Sequence, residues 1–138
     1  MIEQAIYSVL SGNAAVSALV STRIYPTIAP EGASLPFLAY RRVETEHVQT
    51  KSRTQDDLAR ARIEVRCVAS SYSGVRTLAD KVRLALHGYA GTSGSYTIRG
   101  TISEGEYDSG ELPPDGTDVP RHVVVNDYGV WFSETAPS

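Results

Sequence analysis

The sequence contains one cysteine in 138 residues, and this scarcity excludes an intrachain disulfide. A chain whose only thiol is Cys67 fits a reducing compartment such as the cytoplasm. Long apolar runs are also missing, since the longest, Phe37-Leu38-Ala39-Tyr40, is far shorter than the roughly 20 residues that cross a membrane. No positively charged start followed by an apolar stretch marks a signal peptide. We therefore expect a soluble chain with no membrane partner.

A strong excess of basic residues is absent as well. The net charge is −3, whereas a nucleic-acid-binding domain usually presents a strongly basic face. The charge is uneven along the chain: residues 1–99 carry twelve Lys and Arg against eight acids, whereas residues 100–138 carry one Arg against eight acids. One basic and one acidic section can attract neighbouring copies head to tail, or each can simply be solvated.

The residue patterns of common catalytic and metal sites are missing too. His47, His87 and His122 are far apart in sequence, and no pair has metal-ligand spacing. The segment 91–95 lacks the second glycine of a nucleophile elbow, and neither common glycine-rich phosphate loop occurs. Cys67 falls on the apolar side of an alternating strand, which predicts a buried thiol and not a nucleophile. We expect no enzyme activity, no metal and no cofactor.

The patterns that are present predict a single α+β domain over residues 1–138. Apolar residues at helical spacing indicate helices over residues 2–12, 14–20 and 72–87, with Asn13 and either Ser71 or Ser73 as N-caps. Strands are predicted over residues 22–25, 37–45, 59–68, 96–107 and 121–132, and long exposed loops over 46–57 and 108–120, with a tail at 133–138. Alternation makes Tyr96, Ile98 and Ile102 the best inward candidates of the fourth strand, and it places Tyr128, Val130 and Phe132 on one face of the last. The simplest fold is one antiparallel sheet of about four to five strands, with an N-terminal helix and a longer central helix on one face.

A row of arginines occupies the opposite face of the predicted sheet. The strand at 59–68 alternates small or apolar residues with charged ones, so one side is buried and the other faces outward. The arginines proposed as a subunit interface are Arg41, Arg42, Arg60, Arg62 and Arg66. Sheets that bind nucleic acids usually interleave aromatic residues with the basic ones, and this row does not. The face is therefore either solvated or an interface with another protein, where Arg is enriched.

Short motifs along nearly the whole chain resemble the tail-completion, or tail-terminator, proteins of long-tailed bacteriophages and prophages. They come in the order of that family: the opening helices at 5–10 and 14–20, Arg23-Ile24-Tyr25-Pro26, Ala29-Pro30-Glu31-Gly32-Ala33, Leu35-Pro36-Phe37, the strand at 59–68, the helix core at 78–83 and the closing strand at 127–132. The order of all the pieces carries the resemblance, more than any one of them. Gly129 departs from it, because similar proteins usually carry a larger polar residue there, and the loop at 108–120 has no match.

The resemblance implies a structural role without catalytic residues. Proteins of that family form a ring, typically a hexamer, that caps the head-proximal end of the tail tube, ends tube growth and offers the surface that joins the head. The implied partners are further copies of the chain, the tail tube protein and the head-tail connector or stopper protein. The implied location is the neck end of the virion tail, after assembly in the host cytoplasm.

Two sets of residues acquire a role under this hypothesis. DNA passes through such a ring without specific binding, and an acidic lumen would repel its phosphates; the candidate lumen acids are Glu104, Glu106 and Asp108. A long polar loop is the candidate mobile assembly segment, able to reach a neighbour or the tube. Its residues are Glu46, His47, Val48, Gln49, Thr50, Lys51, Ser52, Arg53, Thr54, Gln55, Asp56 and Asp57.

Three other functions stay open from the sequence. Another neck component, such as a head-completion or connector protein, would share much of this pattern, and only its position on tails would separate the two. A nucleic-acid-binding α+β module would bind DNA with an affinity that falls steeply as salt rises. A small enzyme would lose activity on mutation of a His or Ser, and no pattern in the sequence predicts one.

Overall fold

The structure is a computed structural model, which describes residues 2–27, 34–47, 58–93, 96–111 and 121–134. In chain order the elements are α1 (Ile2–Gly12), α2 (Ala14–Val20), β1 (Ile24–Pro26), β2 (Phe37–His47), β3 (Leu58–Ala69), α3 (Tyr72–Leu86), β4 (Gly91–Ser93), β5 (Tyr96–Glu111) and β6 (Arg121–Glu134). The predicted α+β class is confirmed. None of the helices described is long and apolar enough to cross a membrane.

The strands form one six-stranded sheet in the order β1-β2-β3-β6-β5-β4. The prediction of about four to five strands is one or two strands too low. The strand that it misses is β4, because the small-residue segment Gly91–Ser93 shows no apolar alternation and becomes a strand only by pairing with β5. The sheet is also mixed and not purely antiparallel, since β1 pairs with β2 in parallel. The side chain of Arg23 fixes this corner by donating from Nε to the carbonyl of Pro36 at 2.9 Å.

The main core lies between the sheet and the helices. The inward residues of β3, which include Ile63, Val65 and Cys67, belong to one buried cluster with Leu10 of α1 and Leu78 of α3. The alternation in β3 and the apolar stripe of α3 therefore meet face to face, as the sequence predicts. Both helices predicted to be capped are capped: the Asn13 side chain accepts from the Val16 N–H at 3.1 Å, and the Ser71 hydroxyl accepts from the Gly74 N–H at 3.1 Å.

Several predicted boundaries move in the structure. Strand β2 extends to His47 and β5 to Glu111, so the first two residues of the predicted 46–57 loop and the first four of the 108–120 loop are strand. Strand β6 includes Ser133 and Glu134 of the predicted tail. These polar residues continue strands because their backbones pair with a neighbour, which side-chain patterning alone does not reveal. The rest of those segments, residues 48–57, 112–120 and 135–138, lies outside the described residues.

One predicted core position is wrong. Ile102, expected to point inward together with Tyr96 and Ile98, is 48% exposed, whereas Ile98 is 1% exposed. A bulge between Ile98 and Gly100 shifts the pairing by one residue and turns Thr101 inward in place of Gly100 and Ile102. The side chain of Tyr96 lies outside the described parts of the chain.

Candidate assembly surface

The arginine row of β3 lies on the sheet face opposite the helices. Arg60, Arg62 and Arg66 alternate there with inward residues such as Ala61 and Ile63, which are fully buried. Arg41 of β2 is paired in register with Glu64 on the same outer face. Four of the five predicted interface arginines therefore share one surface, which we call the outer face.

Arg42 does not belong to this surface. It follows Arg41 directly, is paired in register with the inward residue Ile63, and its Nε donates to Glu3 of α1 at 2.9 Å. The two consecutive arginines thus bind acids on opposite sides of the sheet, as the alternation of a strand requires. The structure consequently splits the predicted interface set between two faces.

The arginines of the outer face are bound to carboxylates of neighbouring strands. Arg41 pairs with Glu64 at 3.2 Å, and Arg62 of β3 pairs with Asp127 of β6 at 3.1 Å. The hydrogen bond that Arg62 donates to Asp127, together with the negative charge of that carboxylate, raises the pKa of Arg62, which stays charged. Arg66 also has an interaction partner. The outer face is therefore a network of both charge signs and not a basic patch, a composition that suits protein contact better than phosphate binding.

The centre of this network is built around a residue without a side chain. Arg60 of β3 pairs with Glu104 of β5 across the intervening strand β6, and its guanidinium carbon also lies 5.2 Å from the ring centroid of Trp131. Between them lies Gly129 of β6, where an ideal Cβ would be 2.9 Å from Cδ of Glu104 and 3.2 Å from Nη2 of Arg60. Glycine at 129 therefore leaves the space that the ion pair occupies.

The three candidate lumen acids do not form one row. Glu104 is on the outer face with Arg60, whereas Glu106 and Asp108 contact Arg76 of α3, at 3.3 Å and 3.1 Å, on the helical face. A second bulge in β5, between Ser103 and Gly105, separates the two groups by shifting the register. The negative charge of Glu106 raises the pKa of Arg76, and the negative charge of Asp108 acts in the same direction with a smaller effect.

The candidate mobile assembly loop lies mostly outside the described residues. Its first two members, Glu46 and His47, are paired with Arg60 and Ala59 at the end of β2, so they start the segment from a fixed strand. The remaining members, residues 48–57, are not described.

His87, His122 and Cys67 take structural positions. The His87 Nδ1 accepts from the Ser103 N–H at 3.1 Å, and the His122 ring lies edge-on to Tyr72. Cys67 is fully buried, and desolvation raises the pKa of its thiol. Within the described ranges, no three His, Cys, Asp or Glu residues are placed to hold a metal ion.

Sequence reasoning missed a second apolar cluster, which lies on the outer face at the end of the arginine row. It is formed by Phe37, Val68, Val123 and Val125, each at most 5% exposed, with Tyr25 and Leu35 against it. The signal was present in the run Val123-Val124-Val125, because consecutive valines indicate a strand that is buried on both faces. The outer face is thus apolar at one end and charged along the rest.

Comparison with known proteins gives a family match and a set of similar folds, which includes the following two. The sequence profile of the family described as "Tail completion protein gp17" matches residues 4–110. A chain in the structure "Virion of native gene transfer agent (GTA) particle" has the same fold, with a TM-score of 0.65 and 14% identity over 93% of this chain and 92% of that one. A second solved chain, whose description names no function, has a TM-score of 0.52 and 14% identity over 99% of this chain and 98% of that one. No curated protein matches the sequence.

Proposed function

Because this chain belongs to the family of Tail completion protein gp17, and so is a structural protein of the phage tail, we propose that it is the terminator of that tail. In this role copies of the chain form a ring, a hexamer in our proposal, on the head-proximal end of the tail tube. The ring stops tube growth and presents the surface on which the connector or stopper of the head docks. Its site is the neck end of the virion, reached after assembly in the host cytoplasm.

The observation that carries the proposal is the profile match over residues 4–110, which spans α1 to nearly the end of β5. The fold likeness to a chain of a gene transfer agent virion supports it, since that chain is covered over 92% of its length. The likeness at 14% identity concerns the fold alone, so it carries no argument for a position at the neck.

The charged outer face supports a role in protein contact. A ring requires a heterologous contact, in which one patch of a copy meets a different patch of the next. Arg41 and Arg62 expose about half of their side chains, 51% and 43%, although each already binds one carboxylate. A guanidinium has five N–H donors, so each of these arginines has donors left for a carboxylate of a neighbouring protein.

Binding to tube ends tests the proposed function directly. Tail tubes without heads would be mixed with the labelled chain and imaged by electron microscopy, and tube protein would be polymerised with and without it. We expect label at one end only and shorter tubes when the chain is present. Label along the tube wall, or on heads but not tails, would contradict a terminator and favour another neck protein.

The proposed acidic lumen needs a separate test. A variant with Glu104→Gln, Glu106→Gln and Asp108→Asn removes three carboxylates, and a control variant with Glu64→Gln and Asp80→Asn removes two from elsewhere in the fold. Because Glu104 lies on the opposite face of the sheet from Glu106 and Asp108, at most one of these two groups faces the channel. If either does, the first variant slows DNA passage in assembled particles and the second does not. Unchanged assembly and unchanged DNA ejection in the triple variant would remove the lumen role.

A further inference from the structure

Two strands of the sheet have long edges that no other described strand covers. Strand β1 pairs only with Leu38, Ala39 and Tyr40 of β2, which leaves residues 41–47 of β2 without a described neighbour on that side. At the other end of the sheet, β4 pairs only with Tyr96, Thr97 and Ile98 of β5. We call these stretches, residues 41–47 of β2 and 100–111 of β5, the two open edges.

Among the residues that the structure describes, contacts from the chain itself cover only the beginning of the β5 edge. The Gly88 N–H donates to the Thr101 carbonyl at 2.7 Å, and His87 accepts from the Ser103 N–H. Beyond the bulge at Ser103 and Gly105, the strand continues to Glu111 with β6 as its partner on one side. An edge of this length offers a row of backbone donors and acceptors to an added strand.

Apolar side chains are exposed on both open edges. Val43 of β2 is 42% exposed, and Ile102 and Tyr107 of β5 are 48% and 55% exposed. Proteins that keep an edge free usually protect it with charges, proline or a covering loop, and an exposed apolar edge is a site of pairing. The two edges therefore have the character of surfaces that become covered in an assembly.

The strand directions allow the two edges to pair with each other in different copies. Strands β2, β3, β6 and β5 are successive antiparallel neighbours, so β2 and β5 run in opposite directions. When the sheet of one copy continues into an identically oriented neighbour, the β5 edge of the first meets the β2 edge of the second as an antiparallel pair. Such a contact uses a different patch on each copy, which is the type that closes into rings.

The charges near the two edges are complementary. Glu106 and Asp108 lie on β5 with 28% and 52% of their side chains exposed, and residues 100–111 contain no Lys or Arg. Arg41 and Arg42 open the β2 edge with 51% and 44% exposed. Each of these arginines binds one carboxylate within its own copy and has donors for a second.

We propose that neighbouring copies of this chain assemble by sheet continuation, with the open edge of β5 in one copy pairing with the open edge of β2 in the next. The occupant of each edge is therefore a second copy. This inference rests on the proposed ring and specifies its contact.

Disulfide trapping tests the contact, and the single native cysteine makes it simple. In a Cys67→Ala background, Val43→Cys and Tyr107→Cys place one thiol on each open edge. Strands β3 and β6 separate β2 from β5 within one copy. Three strand spacings of about 4.8 Å put the two backbones roughly 14 Å apart, beyond the reach of an intrachain disulfide. Every disulfide between positions 43 and 107 is therefore between copies.

We expect mild oxidation to convert the double variant into a ladder of covalent oligomers that ends at the ring size. Each single variant should stop at a dimer. A matched pair, Tyr72→Cys with Leu84→Cys on the exposed side of α3, measures linking by random collision. A ladder no stronger than that of the α3 pair overturns sheet continuation.

If the ladder is absent, light scattering on the chain with no added cysteine measures the mass of the free particle. That mass distinguishes failure of the proposed contact from failure of the proposed function. An oligomer of about six copies without the ladder means that the ring uses another contact, and the proposed function stands. A monomer at all concentrations that also leaves tube ends unlabelled overturns the proposed function together with this inference.

Discussion

Glu104 and Arg60 form their ion pair directly above the backbone of Gly129, the one residue of β6 between them that has no side chain. The two partners are 44 residues apart in sequence and on strands that are not neighbours in the sheet. The pair thus ties β3 to β5 over β6, and it occupies the space that a side chain at position 129 would fill.

Replacing Gly129 should displace the Glu104 side chain without unfolding the protein. Alanine gains roughly 0.5–1 kcal/mol over glycine from lower chain entropy in the unfolded state. We expect Gly100→Ala, where nothing lies within 4 Å of the new Cβ, to show this gain. Gly129→Ala should be less stable than Gly100→Ala by about 0.5–1 kcal/mol, because it loses a partly exposed ion pair.

Urea unfolding of a double-mutant cycle checks the cause. In a Glu104→Ala background the obstructing carboxylate is gone, so Gly129→Ala and Gly100→Ala should have equal effects. A Gly129→Ala penalty that persists in that background would place the strain in the backbone of β6 and not in the ion pair.

Two leucines of α3 should differ sharply in their contribution to stability. Leu78 is 1% exposed and belongs to the main core, so Leu78→Ala should lower the free energy of unfolding by about 2–5 kcal/mol. Leu84 is 67% exposed on the same helix, and Leu84→Ala should change it by less than about 0.5 kcal/mol. Thermal unfolding followed by circular dichroism measures both, and equal losses would mean that the outer side of α3 is buried in solution.

The Ser71 hydroxyl should be the cap on which the start of α3 depends. Ser71→Ala removes the acceptor for the Gly74 N–H and should cost about 1 kcal/mol. Ser73→Ala is the matched control, because Ser73 is an exposed serine in the first turn of the same helix. Urea midpoints compare the two variants, and a Ser73 loss as large as that of Ser71 would show that the hydroxyl of Ser71 is not the cap.

Stability should decline in alkaline solution. Burial raises the pKa of both Cys67 and Tyr128, so the folded state keeps their protons after the unfolded state has released them. Their contribution is fully present below the ordinary thiol pKa, about 9, and is progressively lost as the pH rises above it. Urea midpoints measured between about pH 8 and 10.5 should therefore fall.

The Cys67→Ala variant isolates the thiol in this pH dependence. Its midpoints should fall less steeply than those of the unmodified chain, since only Tyr128 still contributes of the two groups. The native thiol should also resist labelling at pH 8 until the protein is unfolded, because it is fully buried. Rapid labelling of the folded protein would contradict both expectations.

Periodicity in the sequence by itself determined most elements of the fold. In the strands without a bulge, it also determined which side is buried. The alternation in β3, the apolar stripe of α3 and the caps at Asn13 and Ser71 are local features, and each is written in consecutive residues. The burial of Cys67 and of Tyr128, Val130 and Phe132 followed from the same rule. The order of the motifs also carried the family, which the profile match confirms.

Only the tertiary structure decided which charges meet and which edges stay open. The bulges in β2 and β5 change the face of every later side chain, and they depend on the partner strand and not on local pattern. For this reason Ile102 is exposed, and Glu104 is separated from Glu106 and Asp108. Arg42 precedes the bulge of β2 and leaves the outer face by plain alternation with Arg41. The six-strand order, which joins residues far apart in sequence, likewise fixes the two open edges. Alternation in the sequence shows which face of a strand is buried, but it does not show which other strand lies beside it.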